Sequence, residues 1–177
     1  MGVVVSNDAA AIVRRHACEQ RTMSSPRARC ATMNASERPC LACSVRGCVL
    51  PLERRSASFV CASGHAYDIA RSGYLSLLQP QDRRSLAAGD SRATVGARRE
   101  LLDSGFGAAL RATLIEATRA LSLPRGARVV DLGCGEGHFL GAVCETAGLD
   151  GYGVDLSAHA VERAAKRHNM STWIAAN

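Results

Sequence analysis

The run Val129-Val130-Asp131-Leu132-Gly133-Cys134-Gly135-Glu136-Gly137-His138-Phe139 constrains this chain more than any other stretch. β-favouring residues lead into an acidic residue, glycines follow at every second position, and a helical pattern comes next. That order reads as strand, tight turn and helix. Glycines let the backbone approach a ligand closely, and the following helix presents free N–H groups and the positive end of its dipole. Asp155 ends the next expected strand, Gly151 to Val154. It lies about 20 residues past the loop, where a carboxylate can accept hydrogen bonds from both hydroxyls of a ribose. A turn that merely joins strand to helix would explain the loop alone. Loop and acid together favour a cofactor site.

The spacing is G-x-G-x-G rather than the G-x-G-x-x-G of dinucleotide-binding loops. On these residues the chain resembles the class I S-adenosylmethionine-dependent methyltransferases, whose first motif is an acidic residue followed by G-x-G-x-G. The resemblance implies an α/β, Rossmann-like domain holding S-adenosylmethionine against Asp131, Gly133, Gly135, Glu136, Gly137 and Asp155. Phe139 and Leu140 in the next helix would lie beside its methionine end. His138 is read as a capping or surface histidine, Cys134 as a small tolerated residue and Cys144 as helix packing.

Upstream, Cys40-Leu41-Ala42-Cys43 is followed after seventeen residues by Cys61-Ala62-Ser63-Gly64-His65. Two close thiolates, a spacer long enough for a hairpin (Pro51 to Val60), then a thiolate and an imidazole make a tetrahedral zinc set. Cys48 is a rival for the place of Cys43. C-x-x-C is the stricter geometric match, so Cys43 is preferred. So small a module has almost no core, and the metal would contribute most of its folding free energy. Disulfides suit a cytosolic chain poorly, and a C-x-x-C redox pair lacks the surrounding βαβ pattern.

Tyr67 to Leu78 reads as a short strand or an extended apolar arm. A polar loop follows and ends at a helix cap, Asp90 or Ser91. Arg83 and Arg84 in that loop suit phosphate contact, with a solvated linker as the plain alternative. The order of Cys3His ribbon, Y-D-I-A-R-S-G-Y-L-x-L-L, loop ending in G-D-S and D-L-G-C-G-E-G resembles the RlmA family over roughly residues 38–177. These enzymes methylate N1 of one guanine in a hairpin loop of 23S ribosomal RNA. The resemblance implies S-adenosylmethionine and Zn2+ as cofactors and Cys40, Cys43, Cys61 and His65 as the metal ligands. It also implies an aromatic residue touching the cofactor near Ser104 to Gly107, at Phe106 or beside it at Gly107. One branch of the family is tied to resistance to tylosin-type macrolides, and the arginine-rich style leans toward that branch.

The expected organisation is a tail over 1–38, a zinc ribbon over 39–66, a basic linker over 67–90 and the first half of a methyltransferase domain over 91–177. The tail has no sustained period, and Met23 or Met33 are alternative starts. Residues 40–99 hold nine arginines against four acids, a balance of +5, whereas residues 100–177 stand at −2. This is the footprint of a segment that meets a polyanion, or of solvated surface arginine. No apolar run approaches the roughly 18 residues of a membrane span, and the opening valines are followed by Arg14-Arg15, the wrong order for a secretory signal. A cytoplasmic protein without membrane contact is expected, and a homodimer stays open.

Residues 91–121 read as two helices broken at Ser104 to Gly107, with Leu101, Leu102, Leu110, Leu114 and Leu121 as a core stripe. Thr172 to Ala176 reads as a third strand, shortly before Asn177. The resembled family continues further, so the chain reads as the front portion of an enzyme whose catalytic residues are unassigned here. Two other classes stay open: a small-molecule methyltransferase with a structural ribbon, and a non-catalytic zinc-ribbon RNA binder.

Overall fold

The computed structural model describes residues 2–5, 41–80 and 89–177. Two sheets organise them. The smaller is antiparallel, with β2 (Leu52–Arg54), β3 (Ser58–Cys61) and β4 (Ala66–Asp68) in that order. Leu52 faces Cys61 and Ser58 faces Asp68 across its ladders. Gly64, at φ 82°, makes the tight return that brings His65 back beside Cys61.

The larger sheet has Gly2–Val5 at one edge and Leu75–Ser76 at the other among the described residues. Its centre is parallel: β6 (Arg128–Leu132), β7 (Asp150–Asp155) and β8 (Thr172–Ala175). Each parallel step needs a crossover. Here these are the helices α3 (His138–Ala147) and α4 (Ala158–Arg167). The two-residue β5 (Leu75–Ser76) adds parallel to β8, with Leu75 beside Ile174.

The short strand expected over Tyr67 to Leu78 forms in two pieces, since Ala66–Asp68 completes the ribbon sheet and Leu75–Ser76 extends the large one. The expected tail also opens with a strand, β1 (Gly2–Val5), antiparallel to β6 with Gly2 beside Leu132 and Val5 beside Val129. Three successive valines have high β propensity, and the flank of β6 supplies the ladder they need. Residues 6–40, including most of that tail and Cys40, lie outside the described residues, as do 81–88 with Arg83 and Arg84.

Helix α1 (Arg92–Asp103) is capped by Ser91, whose Oγ accepts the Thr94 N–H at 3.1 Å. Helix α2 (Ala108–Ala120) starts after Gly107, whose φ is 84°. The leucine stripe expected to be core is mostly outside: Leu101, Leu110 and Leu121 are 47%, 47% and 56% exposed. Leu114 and Ile115 carry the packing of α2 against the core instead, and Val95 is the buried residue of α1. An apolar helical period marks a face, and only part of this face meets a described neighbour.

The larger sheet is packed on both sides, as alternation along β8 demonstrates. Trp173 and Ala175 join Val129, Leu140, Val143, Val161 and Ala164 in the core under the helices. Ile174, between them, joins Leu52, Tyr67, Leu75 and Leu77 in the core under the ribbon. The zinc-ribbon module therefore forms a layer against the sheet. Space for the Trp173 indole is made by glycines, since a Cβ at Gly137 or Gly153 would come within 2.3 or 2.4 Å of its ring.

Candidate cofactor site and metal centre

The strand β6 delivers the glycine loop to the carboxyl ends of the parallel strands, where ligands of open α/β sheets bind. Gly133, Gly135 and Gly137 take φ of 81°, 56° and 76°, a region that side-chain-bearing residues rarely enter. The loop is tied to the end of β7. Gly133 and Cys134 both donate to the Val154 carbonyl, at 2.8 and 3.1 Å, and Gly135 donates to Asp155 Oδ2 at 2.8 Å. Asp155 Oδ1 accepts the Ser157 N–H at 2.7 Å. Each carboxylate oxygen retains lone-pair capacity for a further donor. Helix α3 begins at Gly137 with no side-chain cap, so its first turn has amides to offer a ligand.

Two carboxylates are buried beside this loop. Asp131 and Glu136 are each 3% exposed, and Asp131 Oδ1 and Glu136 Oε1 have no hydrogen-bond partner. Burial, reinforced by the negative charge of Asp155, pushes the Asp131 carboxyl up from its ordinary value. Buried acceptors without donors are rare and costly. S-adenosylmethionine fits the site by this test: it brings an ammonium group for orphaned carboxylate oxygens and ribose hydroxyls for Asp155. A Cβ at Gly133 would meet nothing within 4 Å, so the loop leaves room above its backbone.

The other expected contacts divide. The Gly107 Cα faces the Phe139 ring, with a Cβ there lying 3.4 Å from it, whereas Phe106 is 64% exposed. Leu140 packs its side chain into the core under the helices. His138 is partly buried and stacks edge-on to Phe139 at 5.0 Å between ring centres. Burial pushes the Cys134 thiol far up, and Cys144 up to about 12, so both stay protonated. Two arginines of α1 escaped the sequence reading. Arg99 pairs with Glu136 Oε2 at 3.4 Å, and Arg98 reaches the loop at Gly135. Their i, i+1 spacing on a polar helix carries no signal that singles them out.

In the ribbon, Cys43, Cys48, Cys61 and His65 place their ligand atoms within 4.8 Å of one another. Cys48 and Cys61 sulfurs are 3.8 Å apart, and His65 Nδ1 lies 3.5 Å from Cys43 and 3.4 Å from Cys61. A tetrahedral zinc with bonds of about 2.3 Å to sulfur and about 2.0 Å to nitrogen sets edges of about 3.8 and 3.5 Å. The donor set fits zinc. Cys43, Cys61 and His65 are therefore joined by Cys48, the residue that the spacing argument set aside. The reason is local: Cys43 N–H bonds Leu50 C=O at 2.8 Å and Cys48 N–H bonds Val45 C=O at 2.9 Å, curling a C-x-x-x-x-C loop through Gly47 at φ 82°. Cys40 lies outside the described residues.

An outer shell supports the metal ligands. Tyr67 Oη accepts N–H groups of Ser44 and Val45 at 3.0 and 3.2 Å, which leaves its own proton for Cys43 Sγ at 3.0 Å. Ser44 Oγ donates to the Leu77 carbonyl at 2.5 Å and accepts from Gln79 Nε2 at 2.8 Å. The cysteine loop is thereby bonded to the arm that supplies β5.

Residues 42–86 match the family described as RlmA, N-terminal, and residues 106–176 match a methyltransferase domain. The likeness to RlmA thus lies in the ribbon segment, and the segment after it is similar to methyltransferase domains. The first match includes all four clustered ligands and begins after Cys40. The chain is 40% identical over 123 residues to a 23S rRNA (guanine(748)-N(1))-methyltransferase of Streptomyces fradiae, covering 68% of this chain and 43% of that protein. A Micromonospora griseorubida protein provisionally named a 23S rRNA (guanine-N(1)-)-methyltransferase is 34% identical, over 73% of this chain and 48% of its own length. The chain thus spans under half the length of these two relatives. A TehB-like SAM-dependent methyltransferase structure from Corynebacterium glutamicum aligns at 26% identity and TM-score 0.38, over 48% of this chain and 46% of that one.

Proposed function

We propose that this chain serves S-adenosylmethionine-dependent methylation of guanine N1 in a hairpin loop of 23S ribosomal RNA, in the cytoplasm. The observation that carries the reading is the glycine loop pinned to Asp155, with unpartnered buried carboxylate oxygens at Asp131 and Glu136, on a sheet whose other face holds an RlmA-type ribbon. Bound S-adenosylmethionine would supply the sulfonium methyl. Asp155 holds the ribose, Asp131 and Glu136 face the amino group, and Gly133, Gly135 and Gly137 allow close approach. Alignment of the methyl with the ring nitrogen is the main contribution asked of such a site. The guanine N1 proton must also leave. Cys134 is held as a neutral thiol and cannot accept it.

In this reading Cys43, Cys48, Cys61 and His65 hold a structural zinc, and the basic segment with Arg83 and Arg84 meets the RNA phosphates. The test is methyl transfer from labelled S-adenosylmethionine to a 23S hairpin transcript, mapped by reverse-transcription arrest at the methylated base. Binding of the hairpin should weaken steeply with salt. Arg83→Ala with Arg84→Ala should weaken hairpin binding and leave cofactor affinity intact. Salt-insensitive substrate binding, or equal loss of RNA and cofactor binding in that variant, would overturn the RNA assignment.

A further inference from the structure

The G-D-S turn at Gly89, Asp90 and Ser91 does more than start α1. Gly89, at φ 74°, lies so close to α4 that a Cβ would sit 2.6 Å from the Ser157 backbone nitrogen. Ser157 Oγ donates to the Asp90 carbonyl at 2.8 Å, and the Ser157 N–H is bonded to Asp155. The turn is therefore fixed beside the acidic end of β7. From it, the Asp90 carboxylate holds Arg98 Nη2 at 2.6 Å. The other terminal nitrogen, Nη1, is the atom nearest to a Cβ built on Gly135, at 3.7 Å. A guanidinium has five N–H donors in a planar fork, so one edge can serve Asp90 while the other serves a ligand.

The charges around the loop are thus separated by sign. Orphaned, buried carboxylate oxygens belong to Asp131 and Glu136, and a guanidinium edge belongs to Arg98. An α-amino acid group carries the complement, an ammonium and a carboxylate on one carbon. Arg99 is a poorer candidate for the carboxylate, being engaged by both Asp103 and Glu136. We infer that Arg98, oriented by Asp90, binds the α-carboxylate of the cofactor's methionine portion over Gly135. This rests on the reading of the loop as an S-adenosylmethionine site, and it makes the G-D-S turn a positioning element for cofactor recognition.

The test compares two nucleoside thioethers by calorimetry on the full chain. S-adenosylhomocysteine has the amino acid group, and 5′-methylthioadenosine lacks it. Arg98→Ala should weaken S-adenosylhomocysteine about tenfold or more and leave methylthioadenosine within twofold. Arg98→Lys keeps the charge and should fall between wild type and Arg98→Ala. Equal weakening of both ligands, or no weakening of either, overturns the Arg98 assignment while the cofactor reading stands. Failure of the wild-type chain to bind either ligand overturns both. Arg98 is exposed on 44% of its side chain, and unchanged far-ultraviolet circular dichroism of the variants would show that the fold survives.

Discussion

Asp155 Oδ2 accepts the Gly135 backbone N–H at 2.8 Å, so the carboxylate proposed to hold the ribose also shapes the glycine loop. Asp155→Ala removes both roles, and Asp155→Asn keeps the size while losing the charge. Hydrogen bonds to charged groups are worth about 1.5–3 kcal/mol. Cofactor affinity should therefore fall about 10- to 100-fold in the alanine variant and less in the asparagine variant. Titration calorimetry decides, and unchanged affinity in Asp155→Ala would remove this carboxylate from the site.

The metal centre separates Cys48 from Cys40. Cys48→Ser should lose tightly held zinc, whereas Cys40→Ser should keep one ion per chain under chelator competition. Chelation of the wild-type protein should unfold the ribbon, since such modules draw their folding energy from the metal. Retention of zinc by Cys48→Ser with loss by Cys40→Ser would restore the C-x-x-C assignment.

Tyr67→Phe deletes the hydroxyl that accepts two backbone N–H groups and donates to Cys43. Leaving such buried partners unsatisfied costs about 1–3 kcal/mol. The variant should melt at lower temperature and release zinc faster to a chelator. A release rate equal to wild type would make Tyr67 simple packing.

Two glycine substitutions should differ in sign. Gly153→Ala drives a methyl into the Trp173 ring and should destabilise by about 1–3 kcal/mol or more. Gly96→Ala, in α1 with nothing within 4 Å of the new Cβ, should stabilise by about 0.5–1 kcal/mol. Urea unfolding followed by the fluorescence of Trp173, the single tryptophan, reads both. Equal midpoints would contradict the fit of the indole between its glycines.

Burial, with Arg111 and Arg167 nearby, lowers the His138 pKa below its ordinary 6.5. Between the folded and unfolded values the unfolded chain binds more protons, so stability rises with pH there. This contribution is fully present above about pH 6.5 and is lost as pH falls through the folded pKa. Proton NMR of the His138 ring should give a midpoint below that of a free histidine. A midpoint above 6.5 would reverse the sign.

Features written in neighbouring residues were legible in advance. The strands at Arg128–Leu132 and Thr172–Ala175, the helix cap at Asp90 or Ser91 and the glycine turns depend on propensity and punctuation over a few residues. Pairings between distant segments were not. Nothing in Leu75-Ser76 announces Ile174 as its neighbour, and nothing in Gly2–Val5 announces β6. Cys48 is legible as a rival ligand, but the spacing rule for knuckles cannot rank it, because hydrogen bonds at Leu50 and Val45 close a longer loop. The leucine period of α1 and α2 identified a face but could not say what covers it.

The parallel pairing of Leu75 with Ile174 couples the metal's fate to the colloidal behaviour of the protein. The arm that supplies Leu75 is anchored through Ser44 and Tyr67 to the cysteine loop. Stripping the zinc would free that arm and leave β8 with unpaired amides and carbonyls, a template for other chains. Metal starvation should then register first as turbidity, before any measure of catalysis is taken.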